Sequence, residues 1–295
     1  MLKETKHTVK TSDGLELAAF SYGNENNPPL ILVHGYPDQH DIWQKVIPNL
    51  IEQFYVVAYD VRGAGASDHP ESLKSYRLSQ LNDDLKAVSK QLLDDKPFHL
   101  AAHDWGSLQC WETVTDPDFA GHILSYSSMS GPSLDHAGFL LRRMVKQSPL
   151  RMAALLKHSW YVGAFHLPFI GPTFWKVCSP KKWQEYMAKV QDCSDIPFNP
   201  DVTKNGEYGI KLYRANFLPR TLNPRPRYAQ CPVQAIVLTE DDYVRPTYIN
   251  EMKNWVEELK IVEINANHWA ELSHPEQVSD YIREFALEHS EKAAD

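Results

Sequence analysis

The chain is expected to fold as an α/β protein with a mostly parallel, doubly wound sheet. Three observations point there. Short continuous apolar runs, such as Leu30–Val33, Tyr55–Tyr59 and Phe98–Ala102, have the character of strands buried on both faces. Helix-spaced segments lie between them, Leu78–Leu93 being the clearest, with Leu78, Leu81, Leu85, Val88 and Leu92 on one face. The alternation breaks once, near Gly131-Pro132, and resumes at Val233. Strand–helix alternation of this length implies parallel pairing with right-handed crossovers.

Taken in order, Thr8–Thr11 and Leu15–Ser21 read as two strands around the turn Ser12-Asp13-Gly14. Leu30–Val33 follows as a buried strand, then a helix over about 41–53, then the strand Tyr55–Tyr59. After the helix Leu78–Leu93 come the strand Phe98–Ala102, a helix including Ser107–Val114, and the strand Gly121–Ser127. From about Ser133 to Tyr228 the chain is rich in Trp, Tyr, Phe, Pro and basic residues, and no buried β run occurs. This stretch is expected to be a helical insertion with proline-marked breaks, returning through Pro219, Pro224 and Pro226. The core then resumes with strand Val233–Leu238, helix Thr247–Leu259, strand Ile261–Ile264 and helix Pro275–Leu287. The expected division is a core of residues 1–132 and 229–295, with a helical cap over 133–228.

Bulk properties narrow the function. With 43% hydrophobic and 23% charged residues, 295 residues can bury one large core. A formal net charge of −8 disfavours nucleic acid and anionic membrane surfaces as partners. No apolar run near the start suits a secretory signal, and none approaches a membrane span, so a cytoplasmic protein is expected. Cys110, Cys178, Cys193 and Cys231 show neither metal-ligand nor C-x-x-C spacing, and reduced thiols are expected. Neither a metal nor a cofactor is implied, and nothing in the residues selects an oligomeric state.

The most informative stretch is Ala101-Ala102-His103-Asp104-Trp105-Gly106. It has the spacing of a nucleophile elbow, the sharp strand-to-helix turn usually written G-x-S-x-G, with Asp104 in the serine's place. A carboxylate there suits displacement at an alkyl carbon and a covalent ester that water must cleave. Two further groups lie just beyond later strands: Glu240-Asp241-Asp242 after Val233–Leu238, and Asn267-His268-Trp269 after Ile261–Ile264. Nucleophile, acid, histidine is the chain order of α/β-hydrolase triads. Asp242 is preferred as the acid, with Asp241 a rival and Asp135 a weaker one. His103 is expected to be a structural hydrogen bonder. The loop Asp60–Asp68 lacks the lysine and glycine spacing of phosphate-binding loops, so a structural role for Asp60 and Arg62 is favoured.

These motifs give the chain a resemblance to the α/β-hydrolase superfamily over nearly its whole length. It is most similar to the epoxide hydrolase and haloalkane dehalogenase branch with an aspartate nucleophile. The matching stretches are His34-Gly35-Tyr36-Pro37, Asp60-Val61-Arg62-Gly63-Ala64-Gly65-Ala66-Ser67, His103-Asp104-Trp105-Gly106 and His268-Trp269. The resemblance implies an eight-stranded sheet, an oxyanion hole from the N–H groups of Tyr36 and Trp105, and two cap tyrosines over the nucleophile. Lys211-Leu212-Tyr213-Arg214-Ala215-Asn216 places Tyr213 as one; Ser159-Trp160-Tyr161 places Tyr161, less closely, as the other. Haloalkane dehalogenases generally carry Asn where Tyr36 stands, and fluoroacetate-type dehalogenases carry arginines just after the nucleophile, where this chain has none. The expected activity is therefore hydrolysis of epoxides to diols, with water and a small apolar organic molecule as substrates. The alternatives are haloalkane dehalogenation or ester cleavage by the same residues, or a silent hydrolase-like binding domain. The chain also resembles the hydrolase-like half of certain bacterial fusions to a short-chain dehydrogenase.

Overall fold

A computed structural model describes residues 3–148, 150, 152 and 159–291. Among these residues eight strands form one sheet: β1 (Thr5–Lys10), β2 (Glu16–Tyr22), β3 (Pro29–Val33), β4 (Tyr55–Tyr59), β5 (Phe98–His103), β6 (Ile123–Met129), β7 (Val233–Leu238) and β8 (Leu259–Ile264). Their spatial order is β1-β2-β4-β3-β5-β6-β7-β8. The β1–β2 and β2–β4 pairs are antiparallel and the rest parallel.

The central strands β3 and β4 are apolar because both faces of the sheet are covered there. Leu30 and Leu32 point into one core with Trp43, Val278 and Ile282. Ile31 and Val33 point into the other with Leu85, Val88, Trp111 and Val114. Helices α1 (Leu78–Leu93) and α2 (Asp104–Val114) supply the second face. The buried positions of α1 repeat at the spacing seen in its sequence.

Between β6 and β7 the described residues contain helices and no strand: α3 (Leu134–Gln147), α4 (Trp160–His166), α5 (Ile170–Val177), α6 (Pro180–Val190) and α7 (Val202–Leu222). Pro219 lies inside the last turns of α7, so the helix runs further into the proline-marked stretch than a stiff linker would. After β7 come α8 (Thr247–Met252), α9 (Ala270–Ser273) and α10 (Pro275–Glu291). None of the helices is long and apolar enough to cross a membrane, among the described residues.

Two expected helices differ. The 41–53 stretch forms two short 3-10 turns, His40–Trp43 and Ile47–Asn49. Pro48 has no N–H to give to a continuous helix, which stops one from running through. The helix expected to reach Leu259 ends at Met252, and Leu259 instead pairs with Val233 in the parallel ladder.

Candidate active site

The site follows from the sheet order. From β3 the chain crosses to β4 on one side, and β5 then returns to pair on the other side of β3. The loops leaving β3 and β5 therefore part at their carboxyl ends and open a crevice between them. Tyr36 and Asp104 stand on its two lips.

Asp104 turns the chain from β5 into α2 with a φ of 50°, a left-handed conformation that costs a non-glycine residue free energy. The bend is tight. A Cβ at Gly106 would fall 2.4 Å from the carbonyl oxygens of Val33 and His34, and one at Gly35 would fall 2.5 Å from the Asp104 Cβ. The small residues flanking the elbow are thus required by the backbones it brings together.

The Tyr36 N–H donates to Asp104 Oδ1 at 2.9 Å. Trp105, the next residue, lies in the first turn of α2, where N–H groups have no acceptor within the helix. On the other side, His268 Nε2 is 3.6 Å from Asp104 Oδ2, and its Nδ1 lies 2.9 Å from Asp241 Oδ2. Burial opposes charge on all three groups, yet the ion pairs win. Asp241 is held down at about 2 by His268, by Ser130 and by the Val244 N–H. Asp104 is also lowered, by His268, His103 and the Tyr36 N–H, while His268 is pushed well above its usual value by Asp241 and Asp104. The imidazole thus stands between two carboxylates, an arrangement that favours its protonated form.

Above it lies a cavity of about 790 Å³, lined by Asp104 and His268 and by a wall of aromatic side chains. Tyr161 and Tyr213 are part of that wall. Their rings lie 6.2 Å apart, and that of Tyr213 packs edge-on against Trp105 at 4.7 Å. Burial, then neighbouring groups including Asp104, push both hydroxyls up, so both keep their protons as donors.

Residues 28–155 match the family model described as alpha/beta hydrolase fold. The chain is 32% identical over 294 residues to "Probable oxidoreductase EphD" of Mycobacterium tuberculosis, covering 96% of this chain and 50% of that protein. It therefore spans about half the length of that relative. It is 25% identical to "Epoxide hydrolase 3" of Xenopus tropicalis, over 93% of this chain and 76% of that one. A solved structure of a mutant of a putative epoxide hydrolase from Pseudomonas aeruginosa superposes with a TM-score of 0.78, at 21% identity, covering 99% of each chain. The chain carries the α/β-hydrolase fold.

Within this hydrolase fold the structure corrects one expectation. The carboxylate against His268 belongs to Asp241, not Asp242. Asp241 Oδ1 accepts from the N–H groups of Tyr243 (2.7 Å) and Val244 (2.9 Å), a turn that folds its side chain inward, where Oδ2 meets Ser130 and His268. Asp242 is exposed and lies at the cavity wall. Asp135 is occupied elsewhere, by the backbone N–H and guanidinium of Arg225.

Other residues are where the sequence reading put them. Asp60 accepts from the His40 ring, from the His40 N–H and from the Ala66 N–H, and the buried Arg62 guanidinium binds Asp84 and Asp13. That loop is structural. His34 braces it to the crevice: its Nε2 accepts from the Val61 N–H and its Nδ1 donates to the Gly35 carbonyl. Burial pulls His34 down to about 4, which keeps it neutral for that pattern.

Sequence reasoning missed the layer beneath the histidine. His103 Nδ1 pairs with Glu271 Oε1 at 2.9 Å, both groups fully buried, and the His103 ring lies 4.6 Å from His268. The Trp269 indole N–H donates to the buried Asp38, whose carboxyl is raised to about 7 by burial and by Glu271. Ser130, itself left-handed at φ 49°, supplies the extra bond to Asp241. No spacing in the sequence marks Ser130 or Glu271. His103, beside Asp104, was the one visible signal.

Proposed function

We propose that the chain is an epoxide hydrolase that opens epoxides to diols through a covalent ester on Asp104. The observation that supports this most is the carboxylate of Asp104 lying between His268 and a largely aromatic cavity walled in part by Tyr161 and Tyr213. We read residues 133–228 as the cap that closes that cavity over the core formed by residues 1–132 and 229–295.

Oδ2 of Asp104 attacks an epoxide carbon, the carbon–oxygen bond of the ring breaks, and the departing oxygen is received by the hydroxyls of Tyr161 and Tyr213. The alkoxide gains a proton and the imidazolium loses one, leaving a neutral alcohol and a neutral His268. The ester itself drives this change. Once Asp104 is alkylated, one of the two carboxylates that hold a proton on His268 is gone. His268, oriented by Asp241, then takes a proton from water at Nε2, and hydroxide adds to the ester carbonyl. The N–H groups of Tyr36 and Trp105 hold the oxyanion, a donor of this kind being worth about 3 kcal/mol of barrier. Collapse releases the diol and restores the ion pair. The steps need water and no cofactor.

The aromatic Tyr36 favours this reading over halide release, because its hydroxyl is bound to the Gly206 carbonyl and the Trp175 indole, away from any leaving group at Asp104. The test is one turnover of an epoxide in water labelled with heavy oxygen. An ester route delivers an unlabelled diol and labels Asp104, and His268→Gln traps the adduct on that residue. Label in the diol of the first turnover refutes the ester, and free halide from a haloalkane panel without diol formation refutes the epoxide.

A further inference from the structure

The outer face of the helical layer is unlike the rest of the surface. Six large apolar side chains are exposed within 18 residues: Trp160 (71%), Leu167, Phe169 (80%), Ile170, Phe174 and Val177. Scattered exposed apolar residues are ordinary, whereas a contiguous cluster marks a contact surface. The cluster is continuous with the cavity, since Trp160, Ile170 and Phe174 also line it. An apolar molecule leaving this face enters the site without crossing polar surface.

The charge of the same region runs against that of the chain. Over residues 159–190 there are four lysines and one glutamate, in a chain of net charge −8. Lys176, Lys181 and Lys182 are exposed, and the Lys182 ammonium reaches the Val177 carbonyl at 3.5 Å, at the edge of the apolar cluster. An apolar plateau with lysines at its margin is the arrangement of helices that lie in the interface of an anionic bilayer. The whole-chain charge, which disfavours such surfaces, is reversed locally where it counts.

The geometry points to the α4–α5 face as a docking surface for a lipid bilayer with anionic headgroups, from which an apolar substrate passes directly into the cavity. A fluid lipid surface is favoured over a protein partner by the position of the cluster. A rigid partner seated on Trp160, Ile170 and Phe174 would stopper the entrance, whereas a bilayer both covers these side chains and supplies solute. The docking rests on this face alone. The identity of the solute as an epoxide rests on the function proposed above.

The test is sedimentation of the purified 295-residue chain with vesicles of phosphatidylcholine, with and without phosphatidylglycerol. Binding is expected to the anionic vesicles, to weaken at high salt, and to be at least roughly tenfold weaker in Phe169→Ser/Val177→Ser. Neither residue lines the cavity, so diol formation from a water-soluble epoxide should be unchanged in this variant, while turnover of a vesicle-embedded epoxide falls with binding. Binding to neither vesicle, equal binding to both, or a self-associated chain that Phe169→Ser makes monomeric would each overturn the proposal. Failure of the unaltered chain to turn over the soluble epoxide would instead overturn the function and leave the sedimentation result standing.

Discussion

Replacing Asp241 by Asn separates the two adjacent aspartates cleanly. The Asp241 carboxylate accepts four hydrogen bonds, from His268 Nδ1, Ser130 Oγ and the N–H groups of Tyr243 and Val244. A carboxamide has one accepting oxygen and an NH2 that only donates. If the oxygen keeps the two backbone N–H groups, the NH2 faces His268 and Ser130. The imidazole then has to accept at Nδ1 and carry its proton at Nε2, which is the wrong tautomer for a base. If the amide flips, two buried backbone donors lose their acceptor, at about 1–3 kcal/mol each. The first arrangement costs less, so the fold should survive and the water-activating step should fail. A wrong tautomer in a comparable triad costs about 10⁴ in rate. Rapid-quench kinetics with an epoxide should show ester formation on Asp104 persisting while its hydrolysis slows by about three to four orders of magnitude. Asp242→Asn, an exposed position, should change hydrolysis less than about threefold. If Asp242→Asn traps the ester and Asp241→Asn does not, the assignment of the acid is wrong.

Two further outcomes follow from the same geometry. On the proposed route Tyr213→Phe removes a donor to the leaving oxygen from the cavity wall and should slow ester formation by about 10²–10³ without slowing ester hydrolysis, as single-turnover traces would resolve. Asp38 has a carboxyl raised to about 7 from the usual 3.8, so the folded chain holds its proton where the unfolded chain has lost it. The carboxyl then costs stability increasingly as pH rises from about 4 to about 7, and the full cost remains above that. Asp38→Asn, which still accepts from Trp269, should stabilise the chain at pH 8 by on the order of 3 kcal/mol and leave it nearly unchanged at pH 4, read by urea unfolding. Equal shifts at both pH values would refute the raised carboxyl.

The elbow was legible because its requirements are local. A buried strand, a nucleophile and a small residue two positions on are dictated by backbones packed within a few ångströms, and Gly106 meets that demand directly. The histidine was legible through its place after β8. The acid was not, because two aspartates follow β7 in succession and the choice lies in which one the turn at Tyr243 and Val244 folds inward. The inward carboxylate also meets Ser130, a residue 111 positions away whose left-handed bend no spacing announces. The same is true of Glu271, whose partner His103 arrives from another strand. The failed helix at 41–53 is a simpler matter: the apolar spacing was there, and Pro48 overrode it.

The bond from the Tyr36 N–H to Oδ1 makes the two carboxylate oxygens of Asp104 unequal before any substrate arrives. While that bond holds, the carboxylate keeps its orientation, and on the proposed route the reaction would spend the same atom each time. Over many cycles one oxygen of residue 104 would be renewed from solvent each time, while its twin stays as the ribosome placed it. A peptide mass spectrum of the enzyme after prolonged turnover in labelled water should therefore plateau at one heavy oxygen rather than two.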